Sequence, residues 1–127
     1  MTSPTELVDR YIAAWNETDA PRRKDLIDRT WTDDALYLDP VMEGVGKSGI
    51  NTMIEGVQKK FPGWQFQRTS DVDAHHDCLR FAWVLGPDGG APIAGGVDFG
   101  VTCDGLLRKV TGFLNFAPQP AVPEKQQ

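Results

Sequence analysis

At Pro62-Gly63 the apolar residues of this chain change their spacing, and any fold must accommodate both patterns. Before that point Ile50, Met53, Ile54, Val57 and Phe61 recur at i, i+3, i+4, i+7 and i+11, one face of a helix. After it Trp64, Phe66 and Arg68 alternate with Gln65, Gln67 and Thr69, the two-residue repeat of a strand with unlike faces. Leu79, Phe81, Trp83 and Leu85 repeat that alternation. Helices therefore come first and strands afterwards.

Further signals fill in both halves. Ser3-Pro4-Thr5-Glu6 reads as a helix start with a capping box, and Leu7, Val8, Tyr11, Ile12 and Trp15 follow on one stripe. Asn16 to Asp19 breaks that helix. A second starts near Pro21 with Asp19 as cap and turns Leu26, Ile27 and Trp31 inward. Ala35 to Leu38 reads as a short strand ending at Asp39-Pro40, and Gly44, Gly46 and Gly49 mark a loop before the third helix. Gly86 to Gly90 is a loop, a long strand then runs to about Cys103, Asp104-Gly105 is a hairpin turn, and Leu107 to Phe116 is the last strand. Helices followed by hairpin-linked strands imply an α+β fold, with helices on one face of a mainly antiparallel sheet. The tail from Pro118 to Gln127 has no apolar period and reads as frayed.

Length and charge exclude several functions. With 127 residues the chain has room for one domain, a real core and one ligand cavity. Thirteen basic against eighteen acidic residues, net −5, argue against nucleic acid as a partner, because its phosphates demand Lys and Arg. No apolar run approaches the ~20 residues of a membrane span, and the N-terminus lacks the basic start of a signal peptide. A cytoplasmic location is expected, with Cys78 and Cys103 as buried or half-buried thiols rather than a disulfide framework.

Three side chains are candidates for chemistry. Asp39 ends an apolar strand beside a Gly-rich loop, where a carboxylate at a cavity mouth could act as a base; a simple Asx turn before Pro40 is the plainer reading. Asp98 shares a strand face with Gly96, Gly100 and Thr102, opposite Val97, Phe99, Val101 and Cys103. Either the valine face is the core and Asp98 meets water, or glycines leave space around a buried carboxyl and a second copy covers the valines. Tyr11, on the inner stripe of the first helix, is a core residue or an acid. His75-His76-Asp77 falls where a hairpin must turn, and with no metal-ligand spacing elsewhere it reads as an exposed turn. No phosphate-binding loop and no serine-hydrolase elbow is present.

Together these pieces resemble the nuclear transport factor 2-like superfamily, a cone of three helices against a curved sheet, from about Thr5 to Phe116. SnoaL-like polyketide cyclases, limonene epoxide hydrolase and ketosteroid isomerases share that cone. The run Asp9-Arg10-Tyr11-Ile12-Ala13-Ala14-Trp15-Asn16 is similar to the first helix of the isomerases, which carries their tyrosine acid at the Tyr11 position. Asp33-Asp34-Ala35 with Asp39-Pro40-Val41 resembles the segment of their catalytic base, and Val97-Asp98-Phe99 the strand of their protonated aspartic acid. The third helix departs from them, with Ile54 where the isomerases have a tyrosine.

The resemblance implies an internal pocket for a small apolar molecule and proton transfer alpha to a carbonyl. Asp39 would be the base, Tyr11 and a neutral Asp98 the donors to the enolate oxygen, with no metal or organic cofactor. Trp15, Met53, Ile54 and Phe113 are candidates to line the pocket. An epoxide hydrolase or cyclase using Asp98 is the first alternative, favoured if Arg68 or Arg80 lies beside it. A non-catalytic carrier or dimeric module is the second, expected to have solvent-facing acids or a cone filled by Trp and Phe.

Overall fold

A computed structural model describes residues 3–117 of the chain. Helix α1 (Pro4–Asn16) starts at a capping box in which Ser3 and Glu6 each bond the other's backbone N–H. Asp19 caps α2 (Ala20–Thr30), whose last turn runs directly into β1 (Trp31–Leu38). Trp31, expected at the end of a helix, is instead the first residue of that strand and is fully buried. The short strand β2 (Glu43–Val45) lies in the stretch read as a loop, and α3 (Gly46–Lys60) begins four residues before Ile50. Tertiary contact accounts for both differences: a Cβ on Gly44 would stand 3.1 Å from the Ile50 backbone, so only glycine lets β2 and α3 pack this closely.

The rest of the chain is β3 (Trp64–Arg68), β4 (Asp73–His75), β5 (Cys78–Pro87), β6 (Ala94–Cys103) and β7 (Leu106–Phe116). They join one open, mixed sheet in the order β2-β1-β7-β6-β5-β3, with β4 also on β5. All pairings are antiparallel except β1 with β7, which lie parallel and bring the first strand beside the last. Register shifts at Gly95/Gly96 and Val101/Thr102 bend the β6–β7 ribbon. The Asp104-Gly105 turn has both residues at positive φ, as expected for a two-residue hairpin.

The core lies between the helices and the inner face of this sheet, with Val8, Ile27, Trp31, Ile50, Leu107 and Val110 essentially inaccessible. Arg23, 2% exposed, ties the helices together by donating to Asn51, Gln58 and the Glu17 carbonyl, with Glu55 3.5 Å away. Both cysteines are free, as expected, but exposed rather than buried or half-buried, because Cys78 opens β5 and Cys103 closes β6 at the sheet's periphery. His75, His76 and Asp77 are exposed where β4 turns into β5. Among the described residues no helix is long and apolar enough to cross a membrane. The tail expectation concerns residues outside the described range.

Candidate active site

Asp98 is 3% exposed and faces inward from the middle of β6. Of the two readings of its strand, the buried one holds: Gly96, Asp98 and Gly100 are buried, while Phe99 on the other face is 42% exposed. Tyr11 crosses from α1 and its hydroxyl donates to Asp98 Oδ2 at 2.8 Å. Trp83, on β5, donates its indole N–H to Oδ1 at 2.9 Å. Gly96, paired with Trp83 in the β5–β6 ladder, has no side chain; a Cβ there would collide with the Phe113 carbonyl oxygen and stand 3.1 Å from the indole ring.

Asp39 forms the Asx turn and also lines the cavity. Oδ1 accepts from the N–H groups of Val41 (2.8 Å) and Met42 (3.0 Å), an Asx turn around Pro40. Oδ2 accepts from the Tyr37 hydroxyl at 2.7 Å, and the residue lines the same cavity as Asp98. Gly112 of β7 lets the two acids converge. A Cβ on it would lie 2.9 Å from Asp98 Oδ1, 3.2 Å from Asp39 Cβ and 3.3 Å from the Tyr37 hydroxyl.

Burial dominates the electrostatics. It pushes the Asp98 carboxyl up to about 6, against the two hydrogen bonds that favour its charged form and with help from the nearby Asp39 charge. Burial, then the Asp98 charge, raises Tyr11 well above its ordinary value. Burial and the charges of Asp98 and Asp39 push Tyr37 upward too. Both phenols are thus protonated donors at neutral pH.

These groups open onto a cavity of about 510 Å³. Its walls are aromatic (Trp15, Phe61, Phe66, Phe81, Trp83) and aliphatic (Ile12, Leu85, Leu114), and among the described residues Lys60 is the one basic residue lining it. Of the pocket candidates, Trp15 lines this cavity. Met53 lies instead on a separate groove beside α3, and Ile54 is a core residue 1% exposed. Phe113 is corrected outright: it is 55% exposed on the opposite face of the sheet, edge-to-face with Phe99. The register explains it, since Gly112 and Leu114 take the inward positions of β7 and Phe113 must point away.

Sequence reasoning missed Tyr37 and Trp83. The i, i+2 spacing of Tyr37 and Asp39 was the available signal for the first, because extended chain sends both side chains to one face. Arg68 and Arg80 do not approach Asp98; they pair with Asp9 at 3.0 Å and Asp73 at 3.1 Å. Among the described residues no cluster of three or more His, Cys, Asp or Glu is placed to hold a metal ion.

Three helices packed on one open, mixed sheet of seven strands make the cone of nuclear transport factor 2-like proteins. Within that class the chain belongs to the SnoaL-like family, whose domain matches residues 8–109. A SnoaL-like family protein from Agrobacterium tumefaciens, provisionally designated an isomerase, superimposes with TM-score 0.81 at 39% identity, over 86% of this chain and 94% of its own. A provisionally designated ketosteroid isomerase from Kribbella flavida gives 0.67 at 22%, over 95% and 84%. A provisionally designated polyketide cyclase from Sinorhizobium meliloti gives 0.66 at 15%, over 84% and 93%. At those identities the latter two bear on the fold alone. No curated protein matches the chain.

Proposed function

We propose that the protein binds a small, largely apolar carbonyl compound in the cone and moves a proton alpha to the carbonyl. The observation that carries this reading is the convergence of Asp39 and Asp98 on one apolar cavity, each hydrogen-bonded to a tyrosine. Asp39 takes the alpha proton, leaving an enolate, and returns it to another carbon of the same molecule. The Tyr11–Asp98 pair stabilises the enolate oxygen as charge develops there, among apolar walls. The apolar walls supply affinity, and the acids supply orientation.

The raised titration of Asp98 favours a second reading, in which Asp98 itself shuttles the proton, as in a cyclase. An epoxide hydrolase on this cone lacks its arginine, because Arg68 and Arg80 are engaged elsewhere. Incubation with a β,γ-unsaturated ketone of cavity size tests the main reading: double-bond migration, or exchange of the alpha proton in heavy water, is the expected result.

The outer face of the sheet, with Val97, Phe99 and Phe113, fits a second copy of the chain in a sheet-to-sheet homodimer.

A further inference from the structure

An indole N–H donates and cannot accept. The 2.9 Å contact from Trp83 therefore requires Asp98 Oδ1 to be an acceptor in every protonation state of the acid. A neutral carboxyl accepts best through its carbonyl oxygen and donates through its hydroxyl oxygen, so the proton of neutral Asp98 sits on Oδ2. That oxygen is 2.8 Å from the Tyr11 hydroxyl, and both residues are 3% exposed, which leaves little water to compete for the bond.

A phenol has one hydrogen and can also accept. When Asp98 is ionised, Tyr11 gives that hydrogen to Oδ2 and has none for a ligand. When Asp98 is neutral, Oδ2–H donates to the phenol oxygen and the phenolic hydrogen is released to the cavity that Tyr11 lines. We infer that Asp98 acts on a bound carbonyl through Tyr11, in series, and that Trp83 is the positioning residue that keeps the Asp98 proton on the Tyr11 side. The ligand oxygen then receives one hydrogen bond, from Tyr11, and Asp98 makes none to it.

The remaining groups around Asp98 are consistent with this arrangement. Across from it β7 presents Gly112, with no side chain. From β1 and its end, Tyr37 and Asp39 face the same space, and the Tyr37 hydrogen is already given to Asp39. Lys60 lines the cavity from the end of α3. Burial holds Asp98 near 6, so the Tyr11 hydrogen turns into the cavity as pH falls through that value. The placement of the proton stands on Trp83 alone; its effect on a carbonyl rests on the function proposed above.

Infrared spectroscopy of the ligand-free protein at pH 5 tests the placement. The acid carbonyl stretch that disappears in Asp98→Asn should move to higher frequency in Trp83→Phe, because that carbonyl loses its donor. An unchanged band overturns the inference. Exchange of the methyl protons of 2-acetonaphthone in heavy water tests the series. Tyr11→Phe should cost ~10²–10³-fold, as loss of an oxyanion donor does. Asp98→Ala should then slow the parent at least ~10-fold but the Tyr11→Phe protein no more than about twofold. Asp98→Asn, whose amide can accept from Trp83 and donate to Tyr11, should be faster than Asp98→Ala and lack the pH dependence near 6. Additive costs for Tyr11 and Asp98 would overturn the series. If the parent exchanges nothing, the proposed function fails, and the infrared band still decides where the proton sits.

Discussion

Asp98 and Gly112 face each other across the β6–β7 ladder, and the side chain that Gly112 lacks is what gives the Asp98 carboxyl its room. Strand pairing usually sets side chain against side chain. Here one partner is reduced to hydrogen, and Asp98, Asp39 and Tyr37 converge on the vacated point.

Gly112→Ala places a methyl 2.9 Å from Asp98 Oδ1 and 3.2 Å from Asp39 Cβ. Overpacking of this kind costs about 1–3 kcal/mol of stability. The loss of proton-exchange rate should be larger, on the order of 10²-fold, because reacting groups displaced by about 1 Å lose that much. Urea unfolding and exchange kinetics on the same sample separate the two effects.

Asp98 should make the protein less stable as pH rises. Burial lifts it from 3.8 to about 6, so between those values the folded chain holds a proton that the unfolded chain has released. Stability therefore falls through that window and levels off above it, by roughly 3 kcal/mol from this group. Asp98→Asn has no such proton. Its urea midpoint should match the parent near pH 4 and exceed it at pH 7.5; a parent advantage at pH 7.5 contradicts the assignment.

Arg23→Ala removes the donors that hold Asn51, Gln58 and the Glu17 carbonyl. Asn51 Oδ1 and Gln58 Oε1 then lose their Arg23 donor in a part-buried place, while the Glu17 carbonyl keeps the Gln58 amide, at a cost of about 1–3 kcal/mol. Equilibrium unfolding by circular dichroism checks it.

The outer sheet face makes a prediction about mass. Sedimentation equilibrium of the parent at micromolar concentration should give twice 14.0 kDa, and Phe113→Glu should give the monomer. A parent that runs at 14.0 kDa counts against the dimer.

Much of this architecture was legible in the sequence, and the illegible parts share a cause. The capping box at Ser3 and Glu6, the helical stripe to Phe61 and the Asp104-Gly105 turn are local, so periodicity and turn chemistry found them. The parallel β1–β7 pair joins strands far apart in the chain and leaves no local trace. The start of β1 was hidden because Thr32, Asp33 and Asp34 are polar and partly or fully exposed, so the apolar pattern begins only at Ala35.

The face of Asp98 could not be settled by alternation, because both sides of β6 carry a plausible pattern. Phe113 inherited that ambiguity, since its direction depends on which residue of β7 sits opposite Asp98. Tyr11, Asp39 and Asp98 stood out by their places on helix and strand, and the resemblance gave each an expected role. The groups that hold two of them, Trp83 and Tyr37, were seen only as apolar strand residues, because an alternation pattern ignores the polar tip of an aromatic side chain.

In the proposed reaction Asp39 carries the proton. Exchange of the methyl protons of 2-acetonaphthone in heavy water, followed by NMR, compares the parent with Asp39→Asn, which keeps the side chain's shape and removes the base. The parent should exchange well above the buffer rate. In Asp39→Asn that rate should fall ~10²–10⁴-fold, with binding of the ketone, followed by Trp fluorescence, nearly unchanged. Asp39→Asn exchanging as fast as the parent would contradict that role.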